Sequence, residues 1–238
     1  MAGLQPLCAV VHRGAAPILV RGTAADANLR EYVLGFGAGA QPSSFVEIAR
    51  AGSPVQGASL GQWSVAFLSD GDYTLRLVVT DRAGQSTEAR LTLALDGTLP
   101  VAALMAPGEG ARLNAETDIR GSATDANLVR WTLEMAPGSA SEATQWTMVA
   151  TAESSVAGGV LGGIAPLPPD GTHTLRLTVR DAAGHARAVL RSYKVDTVAP
   201  AAPAALQASV ALSGSTADVT LRWDPVADAD LAGYRVSR

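Results

Sequence analysis

The sequence predicts an all-β protein: two successive antiparallel β-sandwiches and part of a third. Three observations point there. Phrases from the first hundred residues return in the second hundred, the spacing of whole domains and not of solenoid units of about 20–50 residues. The returning phrases alternate apolar and polar residues with period two, as strands with one buried and one wet face require. The 24 glycines and 13 prolines fall too often for long helices, and no segment carries a sustained helical stripe with caps.

Each element follows in order. The opening MAGLQPLCAVVHRG has neither the basic start nor the long apolar run of a signal peptide, so any export address is expected outside this sequence. Cys8 is the single cysteine; it excludes an intrachain disulfide and a cysteine-based zinc cluster, and it reads as a small apolar strand residue. VRGTAADANLREY (20–32) matches IRGSATDANLVRW (119–131) at an offset of 99, and SSFVEIA aligns with ATQWTMVA through Phe45 and Trp146 at 101. DGDYTLRLVVTDRAG (70–84) returns as DGTHTLRLTVRDAAG (170–184) at an offset of 100.

In this last stretch Tyr73, Leu75, Leu77 and Val79 share one face of a strand, with Thr74, Arg76, Val78 and Thr80 on the other. The second copy turns His173, Leu175, Leu177 and Val179 inward. Asp-Gly leads into each strand, and Arg82-Ala83-Gly84 or Ala182-Ala183-Gly184 turns out of it toward a partner ending in ALD or SYKVD. Arg191 stands where the first copy has Leu91, so the second partner strand is expected to fray at its start. DGTLP (96–100) and DTVAP (196–200) are short acidic-to-proline linkers, which restrict relative motion and divide the chain into 1–98, 99–198 and 199–238. Fourteen positions separate Pro6 from Val20 but nineteen separate Pro100 from Ile119, so the first copy's opening hairpin is expected to be trimmed or cut.

With these phrases in place a resemblance can be stated. GSATDANLVRWTLEMAPG, VLGGIAPLPPDGTHTLRLTVRDAAGHA and VDTVAP resemble the tandem immunoglobulin-like domains of large bacterial surface and secreted proteins, especially modules accompanying RHS/YD-repeat proteins. The phrase YTLRLVVTD is similar, more distantly, to PKD domains. The resemblance covers about residues 5–200 and implies immunoglobulin-like sandwiches of about seven strands at the cell surface or outside the cell. Tyr73 resembles the corner tyrosine of such folds, and His173 can serve the same capping role through a ring nitrogen. The remaining segment, with VTLRW around Trp223 and DLAGYRV around Tyr234, resembles the first part of a fibronectin type III domain. About three of the usual seven strands fit there, so this domain is expected to be incomplete and Trp223 and Tyr234 unusually exposed.

The chemistry-bearing residues point away from catalysis. A formal net charge of −4 provides no basic field for nucleic acid or anionic membrane, and no run approaches the ~20 apolar residues of a membrane span. Of the histidines His12, His173 and His185, His173 replaces the first copy's Tyr73 and reads as structural, and His185 as a solvated turn residue. LSGSTA, GEG and GAGA lack the helix that a nucleophile elbow or phosphate cradle needs. Asp26, Asp70 and Asp96, their counterparts Asp125, Asp170 and Asp196, and Asp224, Asp228 and Asp230 read as turn formers. Calcium, with six to eight oxygen ligands, is the rival reading for them. Among the tryptophans, the pairs Tyr32/Trp131 and Phe45/Trp146 read as core, and Trp63 is the residue to check as a glycan platform.

The expected protein has no catalytic, cofactor or metal residues. It is a spacer or adhesive stalk within a large bacterial surface or secreted protein, contacting neighbouring domains and protein or glycan ligands through variable loops such as GFGAGAQPSS and EMAPGSASEA. The rival is an accessory, for example carbohydrate-binding, module of an extracellular enzyme or toxin.

Overall fold

A computed structural model describes residues 1–4, 10–228 and 231–237. Cys8 and Asp230 lie outside them. Among the described residues the secondary structure is entirely β. The first repeat holds β1 (Ala2–Leu4), β2 (Val10–His12), β3 (Ile18–Ala24), β4 (Leu29–Ala38), β5 (Val46–Ala51), β6 (Val55–Trp63), β7 (Gly71–Asp81) and β8 (Ser86–Asp96). A three-stranded sheet, β1-β3-β6, packs on a five-stranded sheet, β2-β8-β7-β4-β5. The second repeat holds β9 (Val101–Ala106), β10 (Ala111–Leu113), β11 (Thr117–Thr124), β12 (Leu128–Pro137), β13 (Thr147–Ala152), β14 (Val156–Ile164), β15 (Gly171–Asp181) and β16 (Ala186–Val195). Its sheets, β9-β11-β14 and β10-β16-β15-β12-β13, repeat the same order.

The count is eight described strands per repeat, one more than expected, because the first strand is shared between the sheets. Its first half, β1 or β9, runs antiparallel to β3 or β11, and its second half, β2 or β10, runs parallel to β8 or β16. In the second repeat the crossing falls at PGEG (107–110), where proline lacks a donor for the ladder and Gly110 takes φ 68°. The first repeat keeps both halves, with β1 only three residues long against six in β9.

Each repeat has its own core, centred on the strand that the sequence marks most clearly. Tyr73, Leu75, Leu77 and Val79 of β7 are buried, as are His173, Leu175, Leu177 and Val179 of β15. The opposite phase is not uniformly wet. Thr74 and Thr174 are buried too, because the loop after β4 or β12 folds over them: each hydroxyl donates 2.8 Å to a carbonyl there, Gly39 or Gly138. The expected fraying at Arg191 does not occur. β16 is continuous from Ala186, and the Arg191 guanidinium reaches across to the Leu104 carbonyl at 2.5 Å.

The chain divides into two compact units, Met1–Val195 and Asp196–Arg238, the first containing both sandwiches. In the second, β17 (Ala204–Ser213) and β18 (Thr216–Asp224) form one antiparallel hairpin, two strands among the described residues where about three were expected. Trp223 is half-buried, with the Tyr234 ring 5.2 Å away edge-on, and Tyr234 is 40% exposed. Around them lies an open apolar hollow of about 630 Å³, lined by Leu206, Leu221, Trp223 and Tyr234 among others. No helix among the described residues is long and apolar enough to cross a membrane.

Candidate functional site

The residues weighed for chemistry separate into three groups. Tyr73 and His173 are corner caps: the Tyr73 hydroxyl donates to the Ser69 carbonyl at 3.1 Å, and His173 Nε2 lies 2.7 Å from the Pro169 carbonyl, four residues upstream in both cases. Both tie the incoming loop to the first residues of the central strand.

The tryptophans form the second group. Trp63 is 1% exposed, packed between Phe36 and Tyr73, and cannot serve as a glycan platform. Tyr32 and Trp131 are core residues as expected, each donating to a backbone carbonyl, Leu60 or Ser154. Phe45 and Trp146 correct the expectation that they too are core. Each is half-exposed on the outer face of its five-stranded sheet, beneath the guanidinium of Arg76 or Arg176 at 4.1 Å from the ring centroid. Each precedes its strand by one residue, so strand alternation does not place it.

The third group meets at the junction between the two sandwiches. The end of β8 and the linker after it are pinned to the first sandwich. Asp70 accepts from Arg13 Nε, from the Gly97 amide at 2.9 Å and from the Thr98 hydroxyl at 2.7 Å. The Arg13 guanidinium, the leading influence, and the Thr98 and Gly97 donors hold the Asp70 carboxyl below the usual carboxylate range. Asp96 is buried and accepts from the Thr98 amide at 2.9 Å.

Across the linker, the second sandwich presents the turn carrying Asp125 and Asn127 and the turn from Asp181 to His185. Asn127 Nδ2 donates to Asp96 at 2.7 Å, bonding one sandwich to the other. Asp125 accepts from the Asn127 amide at 2.7 Å, and Asp181 accepts from both the amide and Nδ1 of His185, at 2.7 and 2.6 Å. His185 is therefore not the solvated residue expected; its side chain is 9% exposed. Its Nε2 faces Nδ1 of His12, on β2 of the first sandwich, at 2.6 Å. Burial first, then the Asp96 and Asp181 charges, raise the Asp125 carboxyl above the usual range, against the Asn127 amide and His185. Ligating atoms of Asp96, Asp181 and His185 lie within 4.8 Å of one another.

The remaining aspartates are turn residues or are engaged elsewhere. Asp26 accepts from the Asn28 amide at 2.8 Å, the same local turn as Asp125 with Asn127. Asp170 and Asp196 both have partners, and Asp224 ends β18. The backbone carbonyl of Asp228 accepts from Leu231. Sequence reasoning passed over Asn127, Arg13 and His12. For the histidines the available signal was departure from the repeat, since His185 corresponds to Gln85 and His12, by register on the neighbouring strand, to Asn114, whereas Asn127 matches Asn28.

The two repeats are tandem β-sandwiches with one strand order. No protein-family model matches it, and no curated protein does. Solved structures match it at low identity. A tetra-tandem repeat in the extending region of a large adhesion protein is 16% identical with a TM-score of 0.37, covering 93% of this chain and 62% of its own. A structure on host cell surface retention of a 1.5-MDa bacterial ice-binding adhesin is 16% identical with a TM-score of 0.43, covering 88% and 68%. Murine CEACAM1b is 15% identical with a TM-score of 0.46, covering 82% and 99%.

Proposed function

We propose that the chain is a non-catalytic spacer within a larger surface or secreted protein, with domains at 1–98, 99–198 and 199–238, the last fibronectin type III-like. The observation that supports this reading is the pinned linker. Asp70 and Asp96 hold Gly97 and Thr98 against the first sandwich, and Asn127 bonds Asp96 from the second. A charge-assisted bond at a mostly buried carboxylate contributes about 1.5–3 kcal/mol, enough to bias a short linker toward one orientation. A spacer's work is to transmit reach, which requires that its domains not pivot freely.

The test is the spread of inter-sandwich distances. Spin labels at the exposed positions Gln41 and Ala140, with Cys8→Ala removing the native thiol, are expected to give one narrow distance distribution by pulsed dipolar spectroscopy. Asn127→Ala is expected to broaden it. A broad distribution in the parent chain overturns the reading.

A further inference from the structure

We propose that the junction between the two sandwiches binds a divalent transition-metal ion of the zinc class through His12 Nδ1 and His185 Nε2. Asp181 acts as the positioning residue. The first support is the imidazole pair. The two ring nitrogens lie 2.6 Å apart, one from each sandwich. Two nitrogens on one tetrahedral zinc at about 2.0–2.1 Å each stand roughly 3.3 Å apart, so the rings need part by only about 0.7 Å. His12 is exposed and free to give that distance.

The second support is the far side of His185. Its Nδ1 meets the fully buried Asp181 carboxylate at 2.6 Å, which turns Nε2 toward His12. A carboxylate on the distal nitrogen is the arrangement that orients metal-bound histidines and raises their basicity. The third support comes from the repeat itself. Gln85 and Asn114 occupy the equivalent places in the sister copies, so neither histidine is needed to build a sandwich. Both occur where one sandwich faces the other.

The nitrogen donors also fix the ion's class. Calcium takes six to eight oxygens, whereas the Asp96 and Asp181 oxygens here already accept from Thr98, Asn127 and His185. A pair of imidazoles suits zinc, nickel or copper. The inference stands apart from the spacer reading, because metal content is measured without reference to domain orientation.

The full chain, stripped with chelator, is dialysed against Zn²⁺ and separately against Ca²⁺, and bound metal is counted. One zinc per chain is expected, with no saturable calcium. His12→Asn and His185→Gln, the sister-copy residues, are each expected to weaken zinc binding at least about tenfold, and Asp181→Asn about tenfold. Their melting in chelator should stay near that of the parent. As a check that needs no variant, zinc should shift the ring proton resonances of His12 and His185 but not of His173. The proposal is overturned if zinc does not saturate, if it binds equally to the His12→Asn/His185→Gln double variant, if calcium binds instead, or if the shifted histidine is His173.

Discussion

Two aspartates at the junction, Asp70 and Asp125, are pulled in opposite directions by their surroundings, and the pH dependence of stability separates them. Asp70 titrates below its ordinary value because Arg13 and its backbone and hydroxyl donors favour the charged form. Its contribution is present above the unfolded value of about 4 and is lost as pH falls through the folded one. Asp125 titrates above its ordinary value because burial and the charges of Asp96 and Asp181 oppose ionisation. Its contribution is present below the unfolded value and is lost as pH rises through the folded one, so at neutral pH its charge is a cost. Asp125→Asn keeps an oxygen for the Asn127 amide and removes that charge. In chelator at pH 7 it is expected to raise the urea midpoint, with the gain shrinking toward pH 4. Asp70→Asn is expected to lower the midpoint at pH 7, with the loss likewise shrinking in acid. Urea titrations at the two pH values decide both.

At the scale of the strand, alternation identified β7 and β15 because nothing else competes for their inward faces. It failed where a loop supplies the cover. Thr74 and Thr174 sit in the outward phase yet are buried under the Gly39 and Gly138 segments, and Arg191 occupies an apolar place by reaching the Leu104 carbonyl. Close approach of strands also leaves a mark. A Cβ on Gly121 of β11 would stand 2.1 Å from the Ala103 carbonyl oxygen of β9, and one on Gly22 of β3 would stand 2.3 Å from that of Gly3. Gly121→Ala is expected to cost about 1–3 kcal/mol, since the backbone of β9 must move. Gly163→Ala on β14, with nothing nearer than 3.9 Å, is expected to be tolerated. Chemical denaturation of the two variants measures the difference.

For the whole molecule the decisive feature is that the two sandwiches form one compact unit while keeping separate cores. Among the described residues, the bonds that join them run through polar side chains beside the linker. Asn127→Ala leaves both cores intact and removes the direct bond to Asp96. Local opening of the linker is then expected to be easier by about 1.5–3 kcal/mol. Amide exchange at Thr98, which donates to the same carboxylate, should accelerate at least about tenfold, while core amides such as Leu77 and Leu177 keep their protection. Unchanged exchange at Thr98 would show that Asn127 does not hold the junction.

The sequence by itself determined the all-β class, the tandem copies and the inward faces of the central strands, because each is written locally: a period of two, a turn residue, a phrase repeated near 100 residues later. It also put Tyr73 and His173 at one equivalent place near the start of the central strand, where the family resemblance implies corner caps. Only the tertiary structure decided the junction. His12 and His185 lie 173 positions apart, and Asp96 and Asn127 lie 31 apart, on opposite sides of a linker. No periodicity relates residues on two different sandwiches; only the linker that docks one on the other brings an imidazole to an imidazole and a carboxylate to an amide.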